Sequence, residues 1–513
     1  MKINAAFITV CVTVVGYLLS VFWAVDRGMA FLGFVKYLPL LLFVFLISQN
    51  EDEKERLLRL LPYFAFVLAL ITVICAQIPP VKSYFSVAGR FAGCFQYPNT
   101  FAVFLLVAEL LLISKKSIKI RDLILSAMLL GGILYTGSRT VFVLSILSNA
   151  AVMLLGGNKK IRLCFIGVCA VCVAGVAVIT LIKGPNVFGR FLTISLKEST
   201  FVGRFLYFGD AIPVLLRHPF GLGYGGYYYM QQTFQTGVYS IRHIHNDFLQ
   251  LALDIGWIPV AAFLAAICMT LWNKKVPLQL KIILLTFVLH SCFDFDLQYL
   301  SMCFILLLLV DTGREKAVEI KSFPLIAVLL SAFTVLSVYF GTVVAAYRFS
   351  ANTFAKKLYP CYTDNNIELL KQCETAEEMD ETADEILKQN EYVSVCYSAK
   401  AKAAYSKGDF AALIHYKHLV FEYAPFAYDD YEEYCYMLVN GILLYTRDGD
   451  TYSANYCKEE LLDTYHKLQA LPDKLSHFGT LIKDQPETEL PKDLLQYITE
   501  LSGEAKAVKS TVE

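Results

Sequence analysis

Long apolar runs fix the solvent in which most of this chain can fold. The stretches Ala5–Val25, Pro62–Ile78, Leu163–Ile182 and Phe323–Tyr347 each stay hydrophobic over about the 20 residues that a helix needs to cross a bilayer core. Composition agrees, with 56% hydrophobic residues, 18% charged residues and a positive mean hydropathy. The first run has Lys2 as a basic flank, like a secretory signal. No small-residue cleavage site follows it, however, and the chain continues through Trp23-Ala24-Val25-Asp26-Arg27 into further apolar sequence. It reads as a retained helix.

Eleven spans are predicted, near residues 5–25, 29–48, 62–78, 98–114, 123–138, 141–157, 163–182, 249–272, 280–293, 298–311 and 323–347. Alternate loops collect cations: Lys54, Arg56 and Arg59; Lys115, Lys116, Lys119 and Arg121; Lys159, Lys160 and Arg162; Lys274 and Lys275; Arg314 and Lys316. The other short loops hold little beyond Arg27, Lys82, Arg90 and Arg139. That bias predicts a multi-pass protein of the cytoplasmic (inner or plasma) membrane with its N-terminus inside. An odd number of spans then sends the C-terminal part outside.

Charge divides the chain at the same place. Residues 1–347 carry 28 Lys+Arg against 16 Asp+Glu, and residues 348–513 carry 17 against 29. The expected fold is all-α: a membrane helix bundle over 1–347, with a long outer loop at 183–246, and a soluble helical domain over 348–513. In the latter, Tyr405-Ser406-Lys407-Gly408-Asp409 closes one helical pattern and Tyr445-Thr446-Arg447-Asp448-Gly449-Asp450 closes another about forty residues later. The spacing suggests tetratricopeptide-like hairpins, with a non-repeat helical bundle as the alternative. The cations of the first half sit in short loops between spans, so no nucleic-acid partner is expected.

The 14 cysteines give no metal or redox signature, and Cys11, Cys75, Cys164, Cys169, Cys172 and Cys268 lie inside apolar runs as small hydrophobes. Chemistry is expected instead at four patches on the outer side. They are Gly89-Arg90-Phe91-Ala92-Gly93 with Pro98-Asn99, Gly137-Ser138-Arg139, Gly203-Arg204 with Pro219-Phe220-Gly221-Leu222-Gly223, and His243-Ile244-His245-Asn246 with Gly256. Each arginine also has a plain reading as an interfacial or solvated cation. Between Lys183 and Ile244, though, six cations face two acids, an excess that an anionic ligand explains. His245 can take and return a proton near neutral pH. His243 and His245 are spaced like metal ligands, but Asp247 is the only local third candidate and no metal is expected.

Taken in order, Gly-Arg…Pro-Asn, Ser-Arg, Arg…Pro…Gly-x-Gly and His245-Asn246-x9-Gly256 resemble the O-antigen ligase family, which includes O-antigen polymerases. His290-Ser291 and Asp294-Phe295 extend the likeness, which covers roughly residues 85–311. The chain departs from the family pattern in its added C-terminal region and in Trp257-Ile258-Pro259 after Gly256. The resemblance implies a GT-C-like membrane glycosyltransferase, inverting and metal-independent, with no cofactor. Its donor is a glycan on a polyprenyl (undecaprenyl-type) pyrophosphate, and its acceptor is a glycan, lipid or protein. It further implies His245 as general base and Arg139 and Arg204 on the pyrophosphate with Arg90 in support. Asn99, Ser138, Asn246, Gly256, His290 and Asp294 take supporting places. Membrane lipids, and other surface-polysaccharide assembly proteins docking on 348–513, complete the expected partners. A transporter or channel, including a bicarbonate-transport-like protein, is the alternative; against it, Lys36 and Glu109 stand alone within their apolar spans.

Overall fold

The computed structural model describes residues 2–115, 117–155, 198–311, 315–317 and 323–502. The first part is a bundle built from α1 (Ala5–Ser20), α2 (Arg27–Gln49), α3 (Glu51–Cys75), the short α4 (Pro79–Phe85), α5 (Pro98–Ile113), α6 (Ile120–Thr136) and α7 (Arg139–Leu155). After it come α8 (Ser199–Arg217), α9 (Gly226–Phe234), α10 (Asp247–Ile255), α11 (Trp257–Trp272), α12 (Leu278–Ser291), α13 (Leu300–Leu309) and α14 (Phe323–Arg348). Strands are minor: β1 (Lys2–Asn4), β2 (Ser86–Val87), β3 (Arg90–Phe91) and β4 (Glu315–Ala317) make two antiparallel pairs, β1 with β4 and β2 with β3. The protein is all-α in class.

Three described helices, α2, α3 and α14, are long and apolar enough to cross a membrane, and six shorter apolar helices stand among them. On α3, Leu60, Phe64, Val67, Leu70, Val73 and Ile74 are exposed, and Val328, Val335 and Val338 are exposed on α14. Apolar rows that water would penalise are suited to lipid chains. Helix α5 is the opposite case. It is buried on every side from Thr100 to Leu110, as expected of a helix that is apolar all round, and it packs on α3, α6, α7 and α12. Its rigid placement matters because its first turn opens the candidate site.

Most described helices follow the predicted spans to within a few residues, with three revisions. The predicted span 62–78 falls largely within α3, which already begins at Glu51, so Lys54, Arg56 and Arg59 stand on a helix and not in a loop. The predicted span 249–272 is two helices, α10 and α11, broken at Gly256. The predicted outer loop 183–246 contains two helices, α8 and α9, in its described part. The predicted span 163–182 and the loop cations Lys183, Arg190 and Lys197 lie outside the described residues.

Beyond α14 the chain stays helical through α15 (Asn352–Leu358), α16 (Thr363–Leu370), α17 (Ala376–Leu387), α18 (Ser394–Ser406), α19 (Phe410–Tyr423), α20 (Tyr428–Arg447), α21 (Thr451–Gln469) and α22 (Lys492–Ser502). The turn α18–α19 uses Gly408 at φ 75° to leave one helix and the Asp409 carboxylate to cap the next. Gly449, at φ 77°, and Asp450 repeat the device between α20 and α21. The apolar core does not divide where α14 ends. One cluster runs from the bundle through Tyr362, Leu370, Ile386 and Val393 to Ala399, and a second begins at Ala401.

Candidate active site at the mouth of the bundle

Short segments far apart in sequence deliver the candidate residues to one mouth of the bundle. In the β2–β3 hairpin, Ala88 and Gly89 take φ of 49° and 74°, the requirement of a type I′ turn, and β3 opens with Arg90. Arg90 Nε donates to the Thr136 carbonyl (2.6 Å) and Nη2 to Asn99 Oδ1 (2.8 Å), tying the hairpin to the end of α6 and the first turn of α5. Gly137 ends α6 in the left-handed region, Ser138 is buried in the turn, and α7 starts at Arg139. Arg204 projects from α8, not from an open loop as its surroundings in the sequence suggest. His245 lies just before Asn246, whose side chain caps α10 by accepting from the Phe248 and Leu249 N–H groups. The His245 backbone has φ 55°. A left-handed conformation costs a non-glycine residue about 1–2 kcal/mol, so the surrounding structure must impose it.

These segments meet at Asp294, in the loop between α12 and α13. Its Oδ2 accepts from Asn99 Nδ2 (2.9 Å) and faces Arg204 Nη2 at 3.5 Å. Its Oδ1 accepts from the Tyr97 hydroxyl (2.8 Å) and lies 3.4 Å from His245 Nδ1. The last distance is long for a hydrogen bond, as catalytic pairs often are before substrate draws them together. Burial alone would raise the Asp294 carboxyl. The His245 contact, with His290 and the Arg204 guanidinium nearby, outweighs it and holds Asp294 well below the usual carboxylate range. The side chain of Asp294 is 1% exposed, against 12% for Arg204 and 22% for His245. The anion is sealed, and the imidazole keeps an open edge.

A second set of contacts fixes the loop that carries Asp294. His290 Nδ1 sits 2.6 Å from Asp296 Oδ2, and the Thr100 hydroxyl donates to Asp296 Oδ1 (2.8 Å). Both oxygens of Asp247 accept from the Leu297 N–H, at 2.9 and 3.0 Å. Phe295 lies between the rings of His243 and His245, with centroids 5.1 and 4.9 Å away.

Comparison with protein families matches residues 124–289 to the O-antigen ligase family. The matched segment is an O-antigen ligase domain. The matched segment contains Ser138, Arg139, Arg204, His245, Asn246 and Gly256, while Arg90, Asn99, His290 and Asp294 flank it. A comparison with curated proteins gave no match. Together with the apolar helices, this domain supports a multi-pass membrane protein of O-antigen ligase-type glycan assembly, glycosyltransferase-like in general chemistry.

In and beside this O-antigen ligase domain the predicted residues take unequal places. Asn99, Arg204 and His245 converge on Asp294, and Arg90 joins through Asn99. Arg139 stands apart. It has no carboxylate nearby in sequence, yet it is ion-paired with Glu198, which directly precedes α8. Asp247, considered above with two histidines as a metal set, instead has its carboxylate turned to the Leu297 backbone. Gly256 is architectural: at φ 84° and ψ −177°, a Cβ there would meet the Pro219 carbonyl at 2.6 Å. The Pro219–Gly223 stretch is laid along the end of α10, with Leu222 N donating to Leu253 O (2.6 Å) and Gly223 N to Asp254 O (2.9 Å).

Lys36 and Glu109 are not isolated, contrary to the expectation from their spans. Lys36 Nζ donates to Gln298 Oε1 (3.0 Å) and the Tyr224 hydroxyl (3.3 Å), and Glu109 accepts from Ser126 (2.7 Å). These partners are neutral hydroxyls and an amide, so Lys36 and Glu109 do not form an acid–base pair with each other. Tyr97, Glu198 and the centrality of Asp294 escaped sequence reasoning. The one available signal was the pair Asp294/Asp296, two acids set beside an apolar span.

Proposed function

We propose that this protein transfers or polymerises glycan from a polyprenyl-pyrophosphate-linked donor on the outer face of the cytoplasmic membrane, for cell-surface polysaccharide. The observation that carries this reading is the convergence of Asn99, Arg204 and His245 on Asp294, which sets a proton acceptor beside a fixed cation. The acceptor hydroxyl attacks the anomeric carbon of the donor while its proton passes to Nε2 of His245. The bond from that carbon to the pyrophosphate oxygen breaks, and the lipid pyrophosphate leaves. Attack opposite the leaving group inverts the anomeric centre, and the scheme needs no nucleotide and no metal. Asp294 on the Nδ1 side favours the tautomer whose Nε2 lone pair is available, and it stabilises the imidazolium that forms. A carboxylate beside the imidazole favours its protonated form and so suits proton acceptance.

Arg204 and Arg139 are assigned to the charge growing on the pyrophosphate, since a guanidinium grips phosphate oxygens at two points. Arg139 exchanges Glu198 for phosphate in this scheme. Arg90 supports it by holding Asn99. The N-terminus lies inside, and residues 348–513 lie outside as a tetratricopeptide-like domain that meets other assembly proteins. The deciding experiment is glycan transfer by purified variants in nanodiscs. His245→Ala should lower turnover by about 10² to 10⁴, the range for losing a general base, with donor binding retained. His243→Ala should be much milder. Full activity in His245→Ala would overturn the assignment, and equal losses at both histidines restored by added divalent metal would replace it with a metal site.

A further inference from the structure

A cavity of about 240 Å³ lies between α9, the loop that follows it and the start of α18. Pockets for drug-sized ligands run from about 300 to 1,000 Å³, so this one suits a smaller body. Its walls come from both parts of the chain. The bundle side supplies Tyr228, Gln232 and Ser240; the C-terminal side supplies Lys371, Tyr392 and Ser394. Ser394 donates to Gln232 Oε1 across the junction (2.9 Å), so the two walls are tied together. Among the described residues, no hydrogen bond takes up the hydroxyls of Tyr228, Ser240 and Tyr392 or the Gln232 amide nitrogen. Aromatic rings interleaved with unused hydroxyl and amide groups match a ligand with apolar C–H faces and a hydroxylated rim. A sugar ring has both. Ser240 and His245 share one loop, and Arg242 between them lies over the Tyr228 ring at 5.3 Å, so the cavity adjoins the strand of chain that presents the proposed base.

We propose that this cavity is a saccharide subsite, which holds one residue of the acceptor glycan while its reactive end lies at His245. The proposal rests on the glycan-transfer reading for the word acceptor, but not for the binding itself. The test is saturation-transfer NMR on the full chain in nanodiscs. The probes are methyl glycosides of a neutral hexose, an N-acetylhexosamine and a uronic acid, together with the oligosaccharide released by mild acid from the host strain's surface glycan. At least one probe should bind the wild type. Tyr392→Ala should weaken binding about tenfold, the scale of one lost aromatic contact. Ser240→Trp, at an exposed loop position, should block the cavity without removing any core side chain. His245→Ala should leave probe binding unchanged, and Tyr392→Ala should raise the acceptor KM while leaving kcat. Binding by none of the probes, or equal binding in Ser240→Trp, would overturn the subsite. An active His245→Ala enzyme with intact probe binding would overturn the catalytic reading alone.

Discussion

Asp294 gathers its partners from positions that no local pattern connects, the Asn99 and Arg204 contacts spanning 195 and 90 residues of sequence. That distance explains why the sequence yields the types of residue at the site but not their centre. The arginines and His245 stand in short motifs, whereas Asp294 becomes a hub only when α5, α8 and α12 converge. The arginine assignments are testable by charge-conserving change. Arg139→Lys and Arg204→Lys should both impair transfer, since lysine keeps the charge and loses the planar two-point grip. Full activity in both variants would leave them as ordinary interfacial cations. His243 makes a different prediction. Burial, then the nearby Lys36 and Arg242 cations, push its imidazole well below the ordinary histidine value, so it stays neutral in the fold. In the unfolded chain it takes a proton near its usual pKa of about 6.5. The unfolded state therefore binds more protons below that pH, and stability falls as pH drops from there toward the lower folded value. Melting temperatures in nanodiscs should show His243→Phe losing less stability than wild type between about pH 6.5 and 5. Parallel curves would mean that His243 is not held neutral.

Among elements, α10 was the one most distorted by reading the sequence as spans. Its apolar residues run into those of α11, and hydropathy alone joins them, because the break is a backbone property. Gly256 turns the chain through a conformation closed to L side chains, and Asn246 restarts it with a cap. Both residues were legible as motif members, but their spacing gave no hint that they bound one short helix. The same two positions explain why His245 is held still: the cap fixes the residue after it, and the glycine seats the far end of the helix on Pro219 and Phe220. Asn246→Ala should cost about 1 kcal/mol of stability through the lost cap, and Asn246→Ser should restore most of it. Gly256→Ala should be worse, because the obstructing atoms are backbone and cannot swing aside. Thermal unfolding of the variants separates the cases. An unchanged melting temperature for Gly256→Ala would mean that the two helices are not locked at this corner.

For the whole molecule, the charge asymmetry and the run of apolar segments were enough to foretell a bundle followed by a polar helical region. They could not foretell how closely the two join, since the hydrogen bonds that hold the C-terminal helices to α2 and α9 are long-range. Asp26, which caps α2, accepts from Thr363 and Asn390, and Tyr359 donates to the Gly28 carbonyl (2.9 Å). Asp364 receives both the Tyr229 hydroxyl (2.7 Å) and the Arg242 guanidinium, which leads into the His245 loop. These contacts put the C-terminal helices and the candidate site at the same end of the bundle. Sidedness is therefore a property of the whole assembly: if the helices beyond α14 are outside, so is the site. The basic loops that argue for this orientation include Lys274 and Lys275, between α11 and α12, at the end of α11 away from Gly256. A membrane-impermeant thiol reagent, applied to intact cells carrying single cysteines in a cysteine-free background, reads the orientation directly. Cysteine at Gln235, after α9, and at Asp473, after α21, should react without permeabilisation. Cysteine at Lys275 should react only after it. The equivalent probe at Lys160 should behave like Lys275, although that position lies outside the described residues. Labelling at Lys275 in intact cells, with Gln235 and Asp473 silent, would invert the protein and turn His245 and its arginines toward the cytoplasm, where the proposed donor is not displayed.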